Sequence, residues 1–88
     1  MLFETLTIKD VKTDLGKWIR VMRKKQNLSQ DQLADLLNMS RITIQNLEAG
    51  KNITIDTLLK VFRHFDALEK FNDFVQDEIK NNSYKSLY

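Results

Sequence analysis

A short segment near the middle of the chain carries side chains whose chemistry matches the edges of DNA bases. At about 100° per residue, Ile44 and Leu47 fall on one face of a helix, away from a set of amide and aliphatic side chains. A guanidinium can bind guanine O6 and N7, an amide can bind adenine N6 and N7, and an aliphatic side chain can pack on the thymine methyl. An ordinary solvated polar face is the alternative, although it would rarely include isoleucine. The predicted base-reading residues are Arg41, Ile42, Gln45 and Asn46.

Residues on either side of this segment could bind the phosphate backbone. Hydroxyl and amide side chains stand at the predicted starts of two helices, where free backbone N–H groups favour anions. A lysine and an asparagine follow the second of these helices, although a purely solubilising role is the alternative for Lys51. The predicted phosphate-binding residues are Ser29, Gln30, Ser40, Thr43, Lys51 and Asn52.

Glu48 requires a different explanation because it falls on the buried side of the same helix. A lone buried carboxylate is costly, so it needs a cation nearby. Arg23 lies at the edge of the apolar stripe of the first predicted helix, and an arginine can bind a carboxylate with two hydrogen bonds while its stem packs. We therefore predict a structural, non-catalytic ion pair between Arg23 and Glu48.

Few residues in the sequence could support catalysis. There is no cysteine, and the single histidine, His64, has no second histidine with which to form a metal site or a triad. Gly16 and Gly50 are too far apart for a glycine-rich phosphate loop. The sequence therefore predicts a protein that is not an enzyme and that needs no metal and no cofactor.

The elements that must position these residues are helical. The 88-residue chain has no proline and two glycines, and it is 42% hydrophobic and 30% charged. This composition and an apolar period close to 3.6 predict one all-α domain over residues 1–80, followed by a flexible tail at 81–88. The predicted helices cover Thr7–Gln26, Ser29 to about Leu37, Arg41–Ala49, a fourth segment from Thr54, and a fifth from Asp66 to about Lys80.

Local signals place the turns between these helices. Ser29 followed by Gln32 forms a capping box, Asn38 tolerates a left-handed turn, and Gly50 is a typical helix C-cap. Gly16 weakens helix 1 by about 1 kcal/mol relative to alanine, so this helix could instead begin near Thr13. Two short helices joined by a three-residue turn, at about 29–50, predict a helix-turn-helix.

The charge is distributed unevenly although its net value is only +2. Cations outnumber carboxylates between Lys9 and Lys25, and carboxylates outnumber cations between Asp66 and Lys80. Such a distribution would direct one face toward DNA and leave the other for a protein partner. The absence of cysteine and of any long apolar run predicts a cytoplasmic protein with no membrane partner.

The segment from Leu28 to Lys51 resembles the Cro/CI-type (Xre family) helix-turn-helix, and the likeness runs from helix 1 to about Phe65. It implies a lambda-repressor-like fold of five helices that binds double-stranded DNA in the bacterial nucleoid. It also implies that Gln30 and Ser40 contact phosphate, that Arg41, Ile42 and Asn46 face bases, and that Arg23 pairs with Glu48. The sequence departs from the family in having Asn38 where glycine is usual.

A narrower resemblance covers Asn52 to Phe62. This part is similar to HipB-like regulators, which are encoded beside HipA-type kinase toxins. The resemblance implies a repressor that autoregulates a toxin–antitoxin operon of the HipBA or HipBST kind. The alternative that it leaves open is an antitoxin that acts mainly by binding a HipA-like toxin directly.

DNA reading by one short helix favours a homodimer. A single helix reads only a few base pairs, so two half-sites of a palindromic operator multiply the discrimination. Helix 5 is the preferred dimer surface because Phe74 lies beside its apolar stripe, although an ordinary core role is the alternative. The tail could instead order on a partner or simply be disordered. The predicted dimer or partner surface comprises Phe71, Phe74, Tyr84, Leu87 and Tyr88.

Overall fold

The computed structural model describes residues 5–86, and it describes the side chains of residues 5–82. This part of the chain forms five α-helices and contains no strand, which confirms the predicted all-α class. Along the same residues, no helix is both long enough and apolar enough to cross a bilayer. The helices are α1 (Ile8–Lys25), α2 (Gln30–Leu36), α3 (Arg41–Glu48), α4 (Ile55–His64) and α5 (Leu68–Ser86).

The first four helices all begin after a hydroxyl side chain. In α1, the Thr7 hydroxyl accepts a hydrogen bond from the Asp10 backbone N–H, and the Asp10 carboxylate accepts one from the Thr7 backbone N–H. The backbone and side-chain hydrogen bonds of Thr7 lower the pKa of Asp10. Ser29 and Gln32 form the same capping box in α2, which confirms the predicted start. The remaining N-caps are Ser40 and Thr54.

The same four helices end in Schellman motifs, in which a residue with positive φ follows the C-cap. In α3, the Lys51 backbone N–H then donates to the Asn46 carbonyl, with an N···O distance of 2.7 Å. Asn38 (φ 56°) and Gly50 (φ 74°) confirm the two predicted stops, and Asn27 (φ 58°) ends α1 in the same way. The prediction that Asp66 opens helix 5 is wrong, because Asp66 (φ 59°) instead terminates α4.

The core is formed by side chains of α1, α2, α3 and α4. Phe62 is fully buried, and its ring lies 4.8 Å from that of Trp18 and 5.5 Å from that of Phe71, measured between centroids. Helix α4 therefore supplies the largest of the fully buried side chains in the described part of the chain. The other fully buried large side chains are Ile19, Leu33, Ile44, Leu47 and Val61.

Gly16 allows α1 to cross the end of α3 at short range. A Cβ atom at this position would lie 2.7 Å from the Leu47 carbonyl oxygen and closer still to that of Glu48. The glycine does not shorten the helix, since α1 begins at Ile8 and not near Thr13. Glycine therefore lowers the intrinsic stability of α1 but permits this close backbone contact.

Helix α5 extends beyond its predicted end at about Lys80 and continues to Ser86. No proline or glycine follows Lys80 to stop it, and asparagine and serine cost a helix less than about 1 kcal/mol each. The side-chain amide of Asn82 donates to the Glu78 carbonyl over 2.7 Å. The apolar period ends at Ile79, which is itself exposed, but the helix continues beyond it.

Candidate nucleic-acid interface

Helix α3 packs against α1 and α2 through one face and presents the other to solvent. Ile44 and Leu47 are buried, whereas Ile42 on the outer face is 65% exposed. The Ser40 hydroxyl, which accepts a hydrogen bond from the Thr43 N–H, fixes the start of the helix. An apolar side chain is thus held outward on a short helix that is anchored at its start and along its inner face.

The four predicted base-reading residues lie on this outer surface. Arg41 and Ile42 are exposed, and Gln45 and Asn46 are half-buried beside them. The surface combines a guanidinium, two amides and an aliphatic side chain, which is the set of groups that base edges can bind. The Arg41 Nη1 atom also lies 3.8 Å from Oδ2 of Asp31 on α2.

The predicted phosphate-binding residues surround this surface. The hydroxyl oxygens of Ser40 and Thr43 are 3.0 Å apart, and either could donate to an external acceptor. Lys51 is exposed just beyond α3, and Asn52 follows it with φ 50°. The Ser29 hydroxyl already accepts the Gln32 N–H, so a phosphate at this end would use the O–H and the free backbone N–H groups.

Arg23 and Glu48 form the ion pair that the sequence predicted, with side chains only 8% and 6% exposed. The guanidinium Nε lies 2.6 Å from Glu48 Oε2, and Nη2 lies 2.9 Å from Oε1. Nη1 donates to the Leu28 carbonyl over 2.8 Å. Hydrogen bonding to Glu48 raises the pKa of Arg23. The pair joins the end of α1 to the end of α3.

Gln30 belongs to the same network. Its side-chain Nε2 donates to Glu48 Oε1 over 3.1 Å. One amide hydrogen of Nε2 and the carbonyl oxygen are left for other partners. The predicted phosphate contact at the start of α2 is therefore positioned by the buried ion pair, a coupling that the sequence did not indicate.

Arg20 and Lys24 are two residues near this surface that sequence reasoning had not placed in the site. They line one groove together with Gln30 of α2 and with Gln45 and Ala49 of α3. The groove brings two cations beside the outer face of α3. The sequence could have indicated them, because residues at i and i+4 lie on one face of a helix and Arg23 of the predicted ion pair lies between them.

The residues predicted to form a dimer or partner surface are divided by the structure. Phe71 is half-buried against Phe62, whereas Phe74 is 61% exposed. The backbone of Tyr84 lies within α5, but its side chain is outside the described part. Leu87 and Tyr88 lie outside the described residues.

The single histidine lies apart from the α3 surface. His64 is half-buried at the end of α4, with its ring 4.8 Å from that of Phe65. Among the described residues, no group of three or more His, Cys, Asp and Glu side chains could hold a metal ion.

Comparison with known proteins agrees with this geometry. A family model described as helix-turn-helix matches residues 19–69, which is more than half of the chain. The chain belongs to the helix-turn-helix family, of the Cro/CI type. The matched region of this helix-turn-helix protein includes α2, α3 and α4, together with Arg20, Arg23 and Glu48.

Similar curated proteins carry related descriptions. An uncharacterized HTH-type transcriptional regulator of Sinorhizobium fredii is 47% identical over 45 residues, or 49% of this chain and 59% of that protein. An HTH-type transcriptional regulatory protein of Methanocella arvoryzae is 40% identical over 52 residues, or 59% of this chain and 16% of that protein. A competence pilus inhibition repressor of Acinetobacter baylyi is 46% identical over 37 residues, or 42% of this chain and 34% of that protein. The helix-turn-helix protein thus matches less than two thirds of the length of each relative.

Proposed function

We propose that this protein is a sequence-specific double-stranded DNA-binding transcriptional regulator that acts as a repressor. The observation that carries the proposal is the outer face of α3, where Arg41 and the 65% exposed Ile42 lie beside Gln45 and Asn46. Such a helix fits the major groove, and each well-placed two-bond contact contributes about 1 to 3 kcal/mol of base discrimination. The repressor of Acinetobacter baylyi among the relatives supports the direction of regulation.

The phosphate backbone would run along the edges of this surface. The predicted anchors are the starts of α2 and α3, with Ser29, Gln30, Ser40 and Thr43, and Lys51 and Asn52 beyond α3. Arg20 and Lys24 extend the positive surface along the groove beside Gln45. Because DNA affinity that depends on cations falls with salt, binding should weaken steeply as ionic strength rises.

The protein would bind a palindromic operator as a homodimer. Phe74 on α5 is 61% exposed, and a large aromatic side chain of this kind suits a protein interface. Two copies would place two α3 helices about one helical turn of DNA apart. Asp31 and Asp35 reduce the positive charge of the proposed DNA-binding surface. The binding of two half-sites at once would compensate for the resulting loss of DNA affinity.

The most specific biological role that we propose is autoregulation of a toxin–antitoxin operon in the cytoplasm and nucleoid of a bacterium. Its support is the resemblance of Asn52–Phe62 to HipB-like regulators and the carboxylates on α5, which could bind a basic partner. Direct binding of a HipA-like kinase toxin is the alternative form of this role. Affinity purification together with the product of the neighbouring gene would test both forms.

Selection of bound fragments from random DNA tests the central proposal. We expect a palindromic sequence to be enriched, and we expect that sequence to occur near the gene. Arg41→Ala should relax the preference at one base position, and Lys51→Ala should weaken binding to all sequences and reduce the salt slope by about 1.

A matched control is Arg63→Ala, which removes an exposed cation from the groove between α4 and α5. This variant should retain the wild-type sequence preference. A selected pool no richer in any sequence than the starting pool would refute specific DNA binding.

A further inference from the structure

We propose that Asp31 is a specificity-determining residue that restrains Arg41 to the base-reading position and opposes its use on phosphate. The inference rests on the proposed DNA-binding function, and it assigns a role to an acidic residue within a surface that should favour cations. Its starting point is the 3.8 Å approach of Asp31 Oδ2, on α2, to Nη1 of the base-reading candidate Arg41.

The geometry leaves both side chains accessible to DNA. Asp31 is the second residue of α2, and Arg41 is the first residue of α3. Their side chains are 68% and 56% exposed, respectively, so neither is covered by the rest of the domain. A guanidinium has five N–H donors. One edge can therefore remain beside the carboxylate while another edge binds guanine O6 and N7.

A carboxylate in the first turn of α2 interacts favourably with the helix dipole, but this small stabilisation does not require a contact with Arg41. An exposed ion pair at 3.8 Å contributes little to folding. A carboxylate beside the predicted phosphate contacts lowers the general affinity for DNA, since it repels phosphate. This loss of affinity applies to correct and incorrect DNA sites alike. It increases specificity only because the carboxylate also limits the groups that Arg41 can bind. Specificity is a difference between two affinities, and a repulsive group that weakens the wrong complex increases it.

Without the carboxylate, Arg41 would be free to move to any nearby phosphate. That contact exists on every DNA sequence and carries no base information. With Asp31 in place, moving the guanidinium to a phosphate removes its contact with the carboxylate and leaves the carboxylate beside the phosphate. Binding to guanine keeps the contact, so the pair penalises non-specific complexes more than the specific one.

The experiment compares Asp31→Asn with Asp35→Asn. Both changes keep the side-chain shape and remove one negative charge from the exposed part of α2, but only Asp31 lies next to Arg41. The affinity of each variant is measured by fluorescence anisotropy for the selected operator, for the operator with the Arg41 base pair changed, and for random duplex. Each measurement is repeated over a range of salt concentrations.

We expect Asp31→Asn to raise the affinity for random duplex by about two- to fivefold, with a smaller gain on the operator. Discrimination at the Arg41 base pair should fall by the ratio of these two gains, and the salt slope on random duplex should steepen by about 1. Asp35→Asn should raise all three affinities by equal factors. In an Arg41→Ala background, Asp31→Asn should no longer change the discrimination.

Equal behaviour of the two aspartate variants would overturn the inference. A loss of discrimination that persists in the Arg41→Ala background would also overturn it, because Asp31 would then act without Arg41. These results differ from a failure of the proposed function, in which the wild-type protein selects no operator. Thermal melts of all variants establish that the domain remains folded.

Discussion

Among the exposed large apolar side chains, Ile42 and Phe74 are supported by the rest of the protein in different ways. Ile42 lies on α3, a short helix whose inner face is buried and whose end is tied to α1 through Glu48 and Arg23. Phe74 lies on α5, which contacts the core through Leu68 and Phe71 near its start and then continues past it. A side chain fixed by a network suits the reading of bases, which requires defined geometry. A side chain on a helix that leaves the core suits association with another protein surface.

We expect the largest effect from a substitution that removes the ion pair between α1 and α3. Glu48→Ala leaves the Arg23 guanidinium buried without its carboxylate, which should destabilise the protein by about 3 kcal/mol. Urea unfolding monitored by circular dichroism measures the change. Glu69→Ala on α5 is the matched control, since it removes an exposed carboxylate and should change stability by less than about 0.5 kcal/mol. Similar midpoints for the two variants would show that α3 does not depend on the ion pair.

The next effect tests the close packing of α1 on the end of α3. Gly16→Ala places a Cβ atom 2.7 Å from the Leu47 carbonyl oxygen, and the backbone must move apart to accept it. We expect a loss of about 2 kcal/mol, although alanine is the better helix former. Lys17→Ala, at an exposed position of the same helix, should leave the melting temperature nearly unchanged. A Gly16→Ala protein as stable as the wild type would mean that the helices can separate at no cost.

The third effect falls on the α5 side. Phe74→Ser removes an exposed aromatic side chain, so it should leave the monomer folded but weaken the proposed dimer by about tenfold or more. Sedimentation equilibrium measures the association. Phe71→Ser is the contrasting variant, because this ring packs 5.5 Å from that of Phe62 and its loss should destabilise the fold. Unchanged association of the Phe74 variant would remove this residue from the interface.

The same contrast explains what the sequence could predict. Helix starts at Thr7, Ser29, Ser40 and Thr54 depend on hydrogen bonds within a few residues, and the structure confirms them. The inner face of α3, with Ile44 and Leu47, follows from helical periodicity and is also confirmed. Base-reading and phosphate-binding roles stay predictions, since they require a partner.

Features that depend on tertiary contacts, or on whether a residue ends one helix or begins the next, were harder to predict from the sequence. Gly16 could be recognised as a weak helix former, but the α3 carbonyls that it accommodates are distant in sequence. Asp66 can begin a helix or end one, and its left-handed backbone at the end of α4 prevailed. The predicted end of α5, at about Lys80, is too early because it follows the end of the apolar period at Ile79, whereas the helix continues through polar residues to Ser86.

The smallest effect compares the turn before α3 with the interior of α5. Asn38 has φ 56°, a conformation in which glycine meets no Cβ penalty, so Asn38→Gly should stabilise the protein by about 0.5 kcal/mol. Asn72→Gly, at an exposed helical position of α5, should destabilise it by a similar amount, since glycine is the poorer helix former. In thermal melts, the two Asn→Gly variants should therefore shift the melting temperature in opposite directions. Destabilisation by Asn38→Gly would mean that the asparagine side chain itself supports the turn. Asparagine would then stabilise this position better than the usual glycine.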